Sequence, residues 1–163
     1  MRILAIEDDM HDMRVIRNYI GEVFCLEDAR TLTDGIARLQ DQSLEKIDLV
    51  LLDLRLPDSC GGVETIKKIK PFAGGIPIVA YTGGDFDLAS IIDAGARIIM
   101  QKPAEGRRHM IDLIFTAIAH EKMAVLIHGM DEECEIMAEN ARNSKQRIET
   151  VLQKSNSGSR SKT

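Results

Sequence analysis

The sequence lacks most of what marks secreted, membrane-spanning or nucleic-acid-binding proteins. It has no Trp and only 4% aromatic residues. Its three cysteines, Cys25, Cys60 and Cys134, are odd in number and widely spaced, which suits neither a disulfide framework nor a CxxC metal site. They are read as free thiols. No apolar run approaches the ~18 residues that a membrane span needs, and no charged leader with a long apolar core opens the chain. A net charge of −5 leaves no basic footprint for nucleic acid. These absences predict a cytoplasmic protein. What is present, 163 residues with 44% hydrophobic and 29% charged, fits one packed domain plus an appendage.

The charge is unevenly spread. Residues 1–120 hold 14 Lys+Arg and 19 Asp+Glu, the whole of the −5. Residues 121–163 are neutral but polarised: 121–141 carry six acids against Lys122, and 142–163 carry six bases against Glu149. The expected organisation is a domain at 1–120, a helical extension at 121–154 and a low-complexity, disordered tail at 155–163.

Within 1–120, short apolar runs at Ile3–Ile6, Val23–Leu26, Asp48–Leu52, Ile76–Tyr81 and Ile98–Met100 read as strands. Between them, sets such as Met13, Ile16, Arg17 and Ile20, or Val63, Ile66 and Ile69, recur at helical spacing. Ile111, Ile114, Phe115 and Ile118 continue that spacing after the last strand. Five strands alternating with five helices predict βαβ units and an α/β fold, a doubly wound five-stranded parallel sheet. Thr31 is placed to cap the second helix, Pro71 to close the third and Pro77 to open the fourth strand.

Open parallel sheets bind ligands at the carboxyl ends of their strands. Here those ends carry Glu7, Asp8 and Asp9 after the first strand, Asp53 after the third, Thr82 after the fourth and Lys102 with Pro103 after the fifth. Singly, each has a plain structural role: Asp8 or Asp9 as a helix cap, Thr82 as a turn residue, Lys102 as an exposed lysine. A carboxylate that ends a buried strand is harder to explain that way, because it needs a partner. Together these groups predict one rim of converging charge. Crowded carboxylates repel one another and call for a hard cation, and Mg2+ suits one or two carboxylates with waters and a phosphate. A carboxylate beside such a cation and a lysine is a nucleophile toward phosphorus. Lys102 and the Thr82 hydroxyl would stabilise the equatorial oxygens of the transferring group.

At this point the sequence resembles the receiver domains of two-component response regulators. The matching residues are the acidic pair after the first strand, Leu51-Leu52-Asp53-Leu54-Arg55-Leu56-Pro57, Gly61, Tyr81-Thr82-Gly83, Asp93-Ala94-Gly95-Ala96 and Lys102-Pro103. The resemblance covers about residues 1–120 and implies a flavodoxin-like (βα)5 fold. It implies that Asp53 is the phosphoacceptor, charged by a histidine kinase or a histidine phosphotransfer protein. It also implies that Asp53 and the backbone carbonyl of Arg55 bind Mg2+ directly, that Thr82 and Lys102 hold the phosphoryl oxygens, and that the Lys102-Pro103 bond is cis. Of the three consecutive acids, the family's pair directly after the strand favours Glu7-Asp8, with Asp8 on the metal and Glu7 acting through water. Counting back from Met13-Arg14 favours Asp8-Asp9 instead. The sequence departs from the family at Ile99, where an aromatic switch residue often stands, and at Cys60, where Asp or Asn is common. The resemblance also implies that Gly84 and Arg55 occupy positions that can tune phosphoryl lifetime by controlling access of water.

The extension holds no helix-turn-helix pattern or basic reading helix, so no DNA-binding domain is expected. The fifth helix is expected to end near Gly129, with Asp131 capping a sixth. A heptad pattern runs through Met123, Ile127, Met130, Cys134, Met137, Ala141, Ser144, Ile148 and Val151. Coiled-coil pairing in a hairpin, pairing in a homodimer with a second copy, and folding back onto the chain's own domain all remain open. Three functional readings follow. The first is a stand-alone response regulator, not an enzyme, that signals to an unknown output protein through phosphorylation-dependent contacts. The second is a phosphorylation-independent scaffold acting through the helical extension. The third is a phosphatase of the haloacid dehalogenase type, disfavoured because such enzymes want an acid where Arg55 stands.

Overall fold

Leu49–Leu52 carries no polar side chain, and such a strand needs cover on both faces. The computed structural model describes residues 1–158, with side chains for 1–130, 135–137, 139 and 142, and it supplies that cover. Strands β1 (Arg2–Ile6), β2 (Cys25–Ala29), β3 (Leu49–Leu52), β4 (Ile78–Thr82) and β5 (Ile98–Gln101) form one sheet in the order β2-β1-β3-β4-β5. Every pairing is parallel. Helices α1 (Met10–Ile20), α2 (Leu32–Gln40), α3 (Gly62–Ala73), α4 (Leu88–Asp93) and α5 (Arg107–Gly158) complete the flavodoxin-like (βα)5 order.

Side-chain alternation divides the core between the two faces. Leu4, Ile6, Val50, Leu52, Ile78 and Ala80 point to one side, against Ile66 and Ile69 of α3 and Ile91 of α4. Ile3, Ala5, Leu49, Leu51, Val79 and Tyr81 point to the other, against Ile16 of α1 and Ile114 of α5. Each fully buried Ile or Leu contributes roughly 1.5–3 kcal/mol relative to an exposed one. The central strands, with many such residues on each face, therefore form a stiff floor for whatever stands at their ends. Gly35 lets α2 approach that floor: a Cβ there would lie 2.3 Å from Ile6 Cδ1.

Four local expectations are corrected. The second strand lies at Cys25–Ala29 rather than Val23–Leu26. It is an edge strand whose mid-strand Glu27 is matched by Arg2 at 2.7 Å and by Arg38, so charge pairing replaces the apolar signal. Pro71 lies inside α3 rather than after it. It forfeits one backbone bond near the helix end, while buried Ala73 holds the last turn to the core and Gly74, at φ 55°, terminates it. Helix α5 passes through Gly129 and Asp131 without a break or a new cap, so the expected C-terminal helix is present as a continuation of α5 rather than a separate sixth helix. Gly129 does not adopt a positive φ, and a helical glycine costs only about 1 kcal/mol. Ser155–Gly158, expected to be disordered, belong to the same helix. The rest of that expected tail, 159–163, lies outside the described residues.

The chain divides into two compact units, Met1–Lys122 and the remainder from Met123. Among the described residues, no helix is long and apolar enough to cross a membrane.

Candidate functional site

Parallel pairing brings the carboxyl ends of β1, β3, β4 and β5 to one rim. The chain leaves β1 at Glu7, whose N–H donates to the Ala29 carbonyl, and leaves β3 at Asp53, whose N–H donates to the Ile6 carbonyl at 2.9 Å. Thr82 closes β4, and the N–H of Lys102, just past β5, donates to the Thr82 carbonyl at 3.1 Å. Backbone bonds of the sheet thus hold all four functional side chains in position.

The centre of the site is the Lys102 ammonium. Its Nζ lies 2.6 Å from Glu7 Oε2, 2.9 Å from Asp53 Oδ2 and 2.9 Å from Asp12 Oδ2. Glu7, Asp53 and Thr82 are buried. Burial alone would lower the lysine pKa, but Asp12, Asp53 and Glu7 outweigh it and hold the ammonium above its ordinary range. Glu7 has the opposite problem. Burial, helped by the charge of Asp53, pushes its carboxyl up to about 7 despite the hydrogen bond from Lys102. The pocket therefore holds more negative charge than one ammonium comfortably balances.

Carboxylate oxygens of Glu7, Asp8 and Asp53 all lie within 4.8 Å of one another. Asp9 is turned elsewhere: it caps α1, accepting from the N–H groups of His11 at 2.7 Å and Asp12 at 3.1 Å, and those bonds hold its carboxyl below the usual range. Of the two registers left open by the three consecutive acids, the geometry clusters Glu7-Asp8 with Asp53. Three hard oxygen donors gathered on one rim are a fitting set for a small divalent cation such as Mg2+. The Arg55 N–H donates to Asp53 Oδ1 at 3.0 Å, fixing the carboxylate, while its guanidinium stands 5.5 Å from the Phe86 ring centre. The Thr82 hydroxyl accepts from the Gly84 N–H at 3.3 Å. The Lys102-Pro103 bond is cis. Ile99 is half-buried and packs against the edge of the core.

Three contributors escaped the sequence reading. Asp12 stands three residues after the α1 cap, a spacing that turns it back over the strand ends, and this was the one readable signal. Arg30 donates to the Asp8 carbonyl at 2.9 Å. Asp58, in the loop after Asp53, accepts from the Leu32 and Thr33 N–H groups, both at 2.8 Å, and from the Thr33 hydroxyl at 2.7 Å. Burial raises its pKa, but these bonds outweigh it and leave the carboxyl below its ordinary value. It seals the start of α2 together with Thr31, which accepts from the Asp34 N–H at 3.0 Å.

Comparison with known proteins identifies the family and the fold. A family model described as "Response regulator receiver domain" matches residues 3–115. The chain is 31% identical over 103 residues to transcription factor SKN7 of Candida albicans, covering 62% of this chain but only 18% of that protein. It is 32% identical over 88 residues to sporulation initiation phosphotransferase F of Bacillus subtilis, covering 52% of this chain and 68% of that one. Among solved structures, a CheY-like receiver domain protein from Methanospirillum hungatei superposes with a TM-score of 0.63 at 25% identity, over 76% of this chain and 97% of that one.

Proposed function

The chain belongs to the response regulator receiver family, and from that premise we propose that Asp53 accepts a phosphoryl group from a histidine kinase or a histidine phosphotransfer protein. The observation that carries the proposal is the single ammonium of Lys102, held at 2.9 Å from Asp53 and 2.6 Å from buried Glu7.

In the transfer, an Asp53 carboxylate oxygen forms the new O–P bond while the P–N bond of the donor phosphohistidine breaks and its imidazole departs. The Arg55 N–H holds the other Asp53 oxygen, so the attacking oxygen is already oriented. Lys102 exchanges part of its contact with the carboxylates for the incoming phosphoryl oxygens, and a preorganised cation in a largely buried pocket loses little in reorganising. The Thr82 hydroxyl, a donor as well as an acceptor, turns its proton toward a phosphoryl oxygen. Glu7, Asp8, Asp53 and the Arg55 carbonyl are the groups that would hold Mg2+, which would supply the remaining positive charge. Arg55 offers no second acid two residues after Asp53, so the site suits a stored acyl phosphate better than turnover of phosphate esters. In this reading the output is a protein contact made in the cytoplasm.

Incubation with acetyl phosphate and Mg2+ should add the mass of one phosphoryl group to the wild type and none to Asp53→Ala. A wild type that stays unmodified, or an Asp53→Ala variant modified equally, overturns the proposal.

A further inference from the structure

The helix beyond Lys122 exposes Met123, Ile127, Met130 and Met137, each more than half accessible in the single chain. Their 4-3 spacing is that of a coiled-coil seam, with Ile127 at an a position and the three methionines at d. Gly129 then falls at an outward c position, which is why it interrupts nothing. We propose that this seam pairs with a second copy of the same chain, antiparallel, about a two-fold axis near Glu139.

Charge selects the orientation. In a parallel, in-register pair, each g position meets the next e position of the second copy. Those pairs would be Leu126 with Asp131, Glu133 with Ala138, Asn140 with Lys145 and Arg147 with Leu152, so no opposite charges meet. In an antiparallel pair centred near Glu139, the sequence sets Asp131 at the level of Lys145 of the second copy and Glu133 at that of Arg147 of the second copy. Symmetry repeats both, giving four opposite-charge pairs. The same alignment sets Ile127 against Val151 and Met130 against Ile148, so two layers join large apolar residues. Sliding by one heptad in either direction keeps at most the pairing of Glu133 with Lys154, or none. The acidic-then-basic order of the extension thus specifies orientation, register and partner together.

The test uses the full chain in a Cys25→Ser/Cys60→Ser background, where Cys134 is the remaining thiol. The antiparallel register sets Cys134 opposite Ser144 of the second copy, so adding Ser144→Cys should yield a disulfide-linked dimer on mild oxidation, whereas the background alone should not. Sedimentation should show that Lys145→Glu/Arg147→Glu weakens self-association roughly tenfold or more, and that adding Asp131→Lys/Glu133→Lys restores it. The proposal is overturned if the chain stays monomeric to about 100 μM, if the background crosslinks through Cys134 as a parallel pair would, or if the fourfold charge reversal fails to rescue. No phosphoryl donor is needed, so this outcome is separate from that of Asp53.

Discussion

Replacing Lys102 with Met keeps an unbranched stem and deletes the charge around which the site is arranged. Side-chain exposure is 12% for Lys102, 1% for Glu7 and 9% for Asp53, so the loss falls in the range for breaking a buried ion pair, about 3–5 kcal/mol. Two effects reduce it. Glu7, whose carboxyl already sits up at about 7, takes a proton when the ammonium is gone, and Asp12 at the rim remains solvated. The expected cost is therefore about 3 kcal/mol at pH 8 and roughly half of that at pH 5.5, where Glu7 is neutral. Mg2+ should recover more stability for the variant than for the wild type, because no ammonium competes for the carboxylates. A tenfold gain in affinity corresponds to about 1.4 kcal/mol once both proteins approach saturation. Urea unfolding followed by far-UV circular dichroism reads all of this, and is preferred to fluorescence because the chain has no Trp. A variant as stable as the wild type, or a loss indifferent to both pH and Mg2+, would refute the view that Lys102 balances the acidic cluster.

Gly35→Ala should destabilise by about 1–2 kcal/mol, since the new methyl would meet Ile6 Cδ1 at 2.3 Å and overpacking outweighs the helix-propensity gain. Ile6→Val removes that Cδ1, so in urea unfolding the double variant should cost less than the sum of the single ones. Asp58→Ala should cost about 1–2 kcal/mol by leaving the first amides of α2 uncapped, with hydrogen exchange accelerating at Leu32 and Thr33. In metal-free protein the raised Glu7 pKa makes ionisation unfavourable in the folded state alone. Its penalty is absent below about 4.5 and complete above about 7, so wild-type stability should fall across that window while Glu7→Gln stays flatter. A wild-type curve that rises there would contradict the assignment.

The residues legible in the sequence were those whose local signal and tertiary role coincide. β3 and β4 are apolar on both faces because both faces are covered, and Asp53, Thr82 and Lys102 stand at strand ends because parallel sheets gather their functional groups there. β2 was displaced because Glu27 and its two arginines satisfy an edge strand by charge, which leaves no alternation to read. Asp12 and Asp58 were missed for a related reason. Each is an ordinary acid in its own segment and acquires its role only when a distant lysine or a helix start, 90 and 26 residues away in sequence respectively, comes alongside. Gly129 and Pro71 misled because both are punctuation whose cost a helix can absorb.

The contact between Glu7 and Lys102 joins residues 95 apart in sequence, and Asp53 lies between them in the chain. A growing polypeptide exposes Asp53 well before Lys102 has been synthesised, so the Asp53 carboxylate exists for a time without its cation. Until β5 has docked, the carboxylates have no fixed counter-charge. Under the proposed function, transfer chemistry would wait on the contact between Glu7 and Lys102, a non-local one of the class that forms late because loop closure must come first. Under the same proposal, a kinase that requires the assembled site would pass over partly folded chains, and phosphorylation competence would be a readout of completed folding.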